Sequence, residues 1–158
     1  YCMKKIVFVC LGNICRSPMA EFVMKSLTDQ LKIESRATSS WEHGNPIHRG
    51  TQAIFKKYAI SYDRNKTSQQ ISAADFADFD YIIGMDEPNL RAINYLIGAR
   101  PSGEVNMLLH YAGEETQIAD PWYTEDFDTA FSEIYRGCQA LLAHIQSRHS
   151  FNQDAPSI

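Results

Sequence analysis

Apolar positions along the chain fall into two rhythms. Ile6-Val7-Phe8-Val9 is an unbroken, mostly β-branched run between Lys4-Lys5 and a glycine-containing turn, the pattern of a strand buried on both faces of a parallel sheet. Ser17-Pro18 then supplies an N-cap residue and an imino acid suited to a first helical turn. Ala20, Val23, Leu27 and Leu31 recur at helical spacing, which predicts a helix over about 18–31. A weaker strand is expected near Ile33–Thr38, and Pro46 is expected to open a helix through Ile54, Phe55 and Tyr58. Tyr81-Ile82-Ile83-Gly84-Met85 repeats the strand pattern, closed by Asp86-Glu87-Pro88 and a helix carrying Leu90, Ile93 and Leu96. Val105–Leu109 would be a fourth strand. Phe127, Ala130, Phe131, Ile134, Cys138, Leu141 and Ile145 keep the three-four spacing of a last helix, with Cys138 on its core stripe. Alternating strands and helices predict a three-layer α/β domain around a parallel sheet, which binds ligands beyond the carboxyl ends of its strands. Cys10 stands at the end of the first strand.

Composition narrows the function classes. A length of 158 residues suits one domain, expected over 3–149; Tyr1-Cys2 precede Met3 and read as a remnant before the natural start, and 150–158 as a polar, fraying tail. No apolar run approaches the roughly 18 residues of a membrane-spanning helix. A net charge of −4 argues against a nucleic-acid partner. Cys2, Cys10, Cys15 and Cys138 do not fall at zinc-ligand spacing, alone or with the five histidines, so no metal is expected. Neither a signal sequence nor a dense disulfide framework is visible, so the expected location is cytoplasmic, with reduced thiols. A cysteine in an unusual setting is then of interest as chemistry.

That setting is Cys10-Leu11-Gly12-Asn13-Ile14-Cys15-Arg16-Ser17, a loop between a buried strand and a helix start. A tight arc of this length directs successive backbone N–H groups toward one point, and Gly12 and Asn13 tolerate the left-handed backbone such an arc needs. The helix adds its free N–H groups and the positive end of its dipole, so the natural occupant is an anion, above all phosphate. Arg16 offers a planar fork for two phosphate oxygens. The same groups favour thiolate at Cys10; in such sites a cysteine moves from about 8.5 into the ~3.5–7.5 range. A thiolate beneath a phosphoryl group is placed for in-line attack, and Ser17 is near enough to donate to the sulfur when it later departs. Cys15 reads first as a small buried thiol, and next as redox protection for Cys10.

A poor leaving group needs a general acid on the far side of phosphorus. Asp120-Pro121-Trp122-Tyr123 offers a carboxyl made rigid by proline and flanked by aromatics, where partial burial would favour its acid form. The same carboxylate could then activate water. Trp122 with Trp41 could wall a slot for an aromatic ring, favouring phosphotyrosine over shorter phosphoserine and phosphothreonine. His43 and His48 read as surface or loop-bracing residues.

Taken together, Cys10 to Pro18 and Asp120 to Tyr123 resemble the low-molecular-weight protein tyrosine phosphatases. The likeness runs from Met3 to about His149 and includes Thr38-Ser39-Ser40-Trp41, Gly44-Asn45-Pro46 and the Asp80–Arg91 stretch. It implies a flavodoxin-like fold with a four-stranded parallel sheet and helices on both faces, no metal or other cofactor, and a cysteinyl-phosphate intermediate. Phosphotyrosine-containing proteins would be its partners, in a bacterial member alongside a cognate tyrosine kinase. Position by position, the resemblance makes Cys10 the nucleophile, Arg16 the phosphate clamp and Asp120 the acid and then the base. Leu11, Gly12, Asn13, Ile14, Cys15 and Ser17 would hold substrate with Trp41, Trp122 and Tyr123, and Asn13 would fix the loop through partners including Ser39. One segment departs: many members carry His-x-Ala-Arg ahead of the Asp-Phe seen here as Asp75-Phe76, whereas this chain reads Lys66-Thr67-Ser68-Gln69. The brace on Asn13 must therefore differ. Arsenate reductases share the fold and loop but need a resolving cysteine, and none lies between Arg16 and Gly137. A phosphoryl-binding module or phosphocysteine carrier would have no use for Asp120.

Overall fold

The computed structural model describes residues 3–149; the expected remnant at 1–2 and the polar tail at 150–158 lie outside the described residues. Strands β1 (Lys5–Cys10), β2 (Lys32–Ala37), β3 (Tyr81–Gly84) and β4 (Glu104–Met107) form one parallel sheet in the order β2-β1-β3-β4. Pleating sends alternate β1 side chains to opposite faces. Ile6, Phe8 and Cys10 join a core built with helix α1 (Arg16–Leu27) and helix α6 (Phe127–Arg148). Val7 and Val9 join a second core with Phe76, Ile93 and Ile97. Helices therefore cover both faces, and the run from Ile6 to Val9 is continuous because water reaches neither side of it. Each such side chain contributes about 1.5–3 kcal/mol by leaving water.

Register sets the position of the site. Cys10 pairs with Ala37, and Val9 with Gly84, which in turn pairs with Met107, so all four strands end along one edge. The chain passes from β1 to β2 on one side and later to β3 on the other, making the carboxyl end of β1 the point where strand order reverses. Ligands bind at such points in open α/β sheets.

Several boundaries differ from expectation. Helix α1 stops at Leu27, because Thr28 turns extended and its Oγ1 accepts from the Gln30 N–H, reversing the chain into β2; Leu31 is buried ahead of that strand. Pro46 does not open the next helix: it bridges to Thr67, and α2 (Arg49–Lys57) starts where His48 Nδ1 accepts from the Gly50 N–H at 2.9 Å. Two helices were not anticipated, α3 (Ala73–Asp78) and α5 (Pro121–Thr124), both too short for an apolar period to show. Helix α4 runs Glu87–Ile97. After β4 the apolar run tightens into a 3₁₀ turn, Leu108–Ala112, against which α6 packs so closely that a Cβ on Gly137 would lie 2.5 Å from Leu108 Cγ.

Candidate active site

At the end of β1 the buried Cys10 Sγ receives the Asn13 N–H at 3.3 Å and lies 3.1 Å from Ser17 Oγ. The loop turns its carbonyls outward onto partners. Thr38 N–H donates to Cys10 O, Ser39 N–H and Oγ to Leu11 O, Ser68 Oγ to Gly12 O, His48 N–H to Ile14 O and Thr51 Oγ1 to Cys15 O. Tethered from outside, the arc leaves the N–H groups of Gly12, Ile14, Cys15 and Arg16 without an acceptor among the described residues. This extends backward the free first turn of α1.

Asn13 is the keystone of that arc, with φ of 56°. Its Nδ2 donates to Ser17 Oγ at 2.8 Å and to Ser35 Oγ at 2.9 Å, and its Oδ1 accepts from the Gln69 N–H at 3.1 Å. Since Ser17 Oγ accepts from Asn13, its own hydrogen can go to Cys10 Sγ at 3.1 Å or to Arg36 O at 3.4 Å. The expected Ser39 contact takes a different form: Ser39 supports the loop by holding Leu11 O, not Asn13. Behind Asn13, Ser35 Oγ donates to Glu21 Oε1 at 2.6 Å, and Lys66 Nζ reaches that same oxygen at 3.2 Å and Ser35 O at 3.1 Å. Lys66 thus supplies the charge for a buried carboxylate in the segment that departs from the family pattern.

Arg16 is 2% exposed. Its Nη1 donates to Asp86 Oδ2 at 2.8 Å and to Ile118 O at 2.7 Å, its Nη2 lies 3.5 Å from Asp120 Oδ2, and its Nε is buried with no partner. Burial opposes the guanidinium charge, but Cys10, Asp86 and Asp120 outweigh it and hold the pKa above its ordinary value. Cys15 goes the opposite way from a thiolate: burial first, then Cys10 and Asp120, push its thiol well up. Asp120 caps α5, its Oδ1 accepting from the Trp122 N–H at 3.0 Å, which turns Oδ2 toward Arg16.

Above this floor opens a cavity of about 230 Å³ lined by Cys10, Leu11, Gly12, Ile14, Cys15, Trp41, Glu42, Asp120, Trp122 and Tyr123. Trp41 is 76% exposed, Tyr123 74% and Trp122 51%, so the aromatics stand as a rim, not as core. His48 meets Trp122 edge-on at 5.5 Å and stacks on Phe127 at 5.3 Å, tying that rim to α6. The close approach depends on Gly50, where a Cβ would fall 2.3 Å from Phe127 Cζ.

The structure brings together the predicted Cys10, Arg16, Ser17 and Asp120, and adds residues the sequence reading passed over. Glu21 had a signal: an acid on the buried stripe of α1, one turn after Ser17. Asp86 had another, an acid directly following a buried strand at the ligand-binding edge. Ser35, Glu42 and the packing of His48 on Trp122 had none. Among the described residues no cluster of metal-ligating side chains occurs, and no helix is long and apolar enough to cross a membrane.

Comparison with known proteins agrees with this geometry. The family described as low molecular weight phosphotyrosine protein phosphatase matches residues 5–151. The low molecular weight protein-tyrosine-phosphatase YfkJ of Bacillus subtilis is 40% identical over 152 residues, covering 91% of this chain and 97% of the relative. The crystal structure of a low molecular weight protein tyrosine phosphatase from Streptococcus pyogenes superposes with a TM-score of 0.85 at 50% identity, covering 90% of this chain and 93% of that one. The crystal structure of YfkJ gives 0.87 at 38% identity, with 95% and 99% covered. The chain belongs to the low-molecular-weight protein tyrosine phosphatase family.

Proposed function

We propose that the protein hydrolyses phosphotyrosine in proteins, and small aryl phosphates, through a phosphorylated Cys10. The observation that carries this reading is the convergence of three groups: a buried sulfur with the Asn13 N–H and Ser17 hydroxyl at hand and a carboxylate, both lining the cavity, and a buried guanidinium 3.5 Å from that carboxylate whose Nε has no partner. The phosphoryl oxygens accept from the free loop amides and from Arg16 Nε and Nη2, a dianion replacing water as their partner. The Cys10 thiolate attacks phosphorus, the S–P bond forms, and the P–O bond to tyrosine breaks. Protonated Asp120 gives its proton to the departing phenolate, so tyrosine leaves neutral. Asp120, now a carboxylate, takes a proton from water as the water oxygen attacks phosphorus. The S–P bond breaks, inorganic phosphate forms, and Ser17 Oγ–H donates to the returning thiolate. Asp86 keeps Arg16 in plane, and the aromatic rim grips the substrate ring. Phosphotyrosine-containing proteins are the substrates, and a tyrosine kinase acting on those proteins would be the opposing enzyme.

The test is rapid-quench hydrolysis of p-nitrophenyl phosphate with mass analysis of the trapped protein. The wild type should release nitrophenol in a burst, carry phosphate on Cys10, and turn over. Cys10→Ser should abolish turnover yet still bind inorganic phosphate. A burst without turnover would support a phosphocysteine carrier, and phosphate on any other residue would overturn the mechanism.

A further inference from the structure

A second concavity, about 800 Å³, runs along α2 away from the catalytic cavity. Gln52, Ala53 and Lys56 lie three, four and seven positions after Arg49, so the four share one face of the helix. The opposite wall is the segment 59–64, which contributes Tyr62 and Arg64. No carboxylate lines this groove, although the chain carries a net charge of −4. Lys57, on the next face of the helix, is paired with Asp128 at 2.7 Å. Arg49, Lys56 and Arg64 have no carboxylate within ion-pair distance among the described residues; Arg64 only lies over the Tyr62 ring at 5.4 Å.

The wall is held in shape without a ligand. Ala59 adopts a left-handed backbone with φ of 56°, Ile60 N–H returns to Phe55 O at 2.8 Å, and Tyr62 Oη donates to Gln52 Oε1 at 3.2 Å. The Tyr62 ring packs on Phe55 at 4.8 Å and on Phe22 at 6.2 Å. A preformed surface spares a partner the cost of ordering it.

The Arg49 end of the groove is tied to the catalytic rim through the preceding residue. His48, next to Arg49, meets the rim residue Trp122, and its N–H holds the phosphate-loop carbonyl of Ile14. From Arg49 to Lys56 the helix rises about 10 Å, a distance an extended peptide covers in roughly three residues.

We propose that this groove docks an acidic stretch of the phosphoprotein substrate, a short run of Asp or Glu near the phosphotyrosine. The inference rests on the phosphotyrosine phosphatase reading and adds the substrate class that reading leaves open. Exposed charges of this kind act mainly on encounter and are screened by salt, so the signature is a KM effect that fades with ionic strength.

The experiment compares wild type, Arg49→Glu/Lys56→Glu/Arg64→Glu and the corresponding triple alanine variant. Substrates are p-nitrophenyl phosphate, a neutral phosphotyrosyl peptide, and peptides with three acids placed on either side of the phosphotyrosine. The expected result is unchanged kcat/KM on p-nitrophenyl phosphate and on the neutral peptide. KM for one acidic peptide should rise about tenfold with kcat preserved, and wild type should lose the same preference in 0.5 M salt, on the order of a 4 Å Debye length. Equal kinetics of wild type and the alanine variant on both acidic peptides would overturn the proposal, as would a loss spread equally over all substrates. Binding of the unphosphorylated acidic peptides, read by fluorescence anisotropy, separates the two claims. Wild-type binding that the variants lose, without turnover of any aryl phosphate, would sink the phosphatase reading and leave the groove standing; turnover without such binding or preference would do the reverse.

Discussion

Replacing Asn13 by alanine removes three hydrogen bonds and puts a Cβ-bearing residue at φ of 56° with no side-chain compensation. At about 1 kcal/mol net for each bond the contacts account for about 3 kcal/mol. Left-handed backbone at alanine adds about 1 kcal/mol, for a total near 4 kcal/mol. In a domain of this size that lowers the melting temperature by about 8–16 °C. Asn13→Gly relieves the backbone cost but restores no contact, so it should recover about 1 kcal/mol and little activity. Freed from its brace, the loop no longer aims its amides or the Ser17 hydroxyl at Cys10, and a misplacement of about 1 Å can cost 10²-fold in rate. Thermal melts followed by circular dichroism, together with kcat/KM on p-nitrophenyl phosphate, read both effects. If Asn13→Ala melts within about 2 °C of wild type and keeps its rate within about threefold, the loop is held by its outward carbonyl contacts and the reasoning fails.

Four further outcomes are expected. Asp120→Ala should slow aryl phosphate hydrolysis by about 10²–10⁴-fold, and least for substrates whose leaving group departs without a proton; a wild-type kcat on phosphotyrosine would remove Asp120 as the acid. Lys66→Ala strips a cation from a carboxylate that is 3% exposed, whereas Lys25, on the other oxygen of Glu21, is 42% exposed. In urea melts the Lys66 variant should therefore lose about 2 kcal/mol and Lys25→Ala less than half of that. Gly50→Ala drives a methyl into Phe127 and should cost about 1–3 kcal/mol while raising KM for phosphotyrosyl peptides through Trp122. At Glu104 burial works against the charge, but hydrogen bonds from Tyr111 and Arg148 outweigh it and bring the carboxyl below its ordinary value of 4.5. The contribution of that carboxylate is then complete above about pH 4.5 and is lost as pH falls through the lowered value. Urea midpoints of wild type and Glu104→Gln should differ at pH 7 and converge toward pH 3, and a gap that widens in acid would contradict the sign.

Much of this protein was legible from local pattern. The run from Ile6 to Val9 and the stripe from Phe127 to Ile145 each carry a period that only one kind of element satisfies, and the strand-loop-helix order placed Cys10 at the ligand-binding edge; Pro18 fits the first turn of α1, but Cys15 and not the expected Ser17 stands at its N-cap. Asp120 was legible because proline makes its turn a local matter. Helices α3 and α5 were not, since six and four residues are fewer than two turns. The end of α1 at Leu27 was also hidden, because Leu31 keeps the helical spacing while being buried for a different reason.

What the chain order alone determined was the fold class and the loop after β1, with Cys10, Arg16 and Asp120 as candidate reactive groups, each marked by its near neighbours in sequence. Folding decided the rest. Asp86 and Ile118 reach Arg16 across 70 and 102 residues, Ser35 and Gln69 reach Asn13 across 22 and 56, and Lys66 meets Glu21 behind them. Each of these partners supplies one polar group, Ile118 its backbone carbonyl, from a stretch of sequence remote from the loop. Only the parallel register, which ends every strand along one edge, turns them inward onto a shared charge, and contacts of that range leave no period to read.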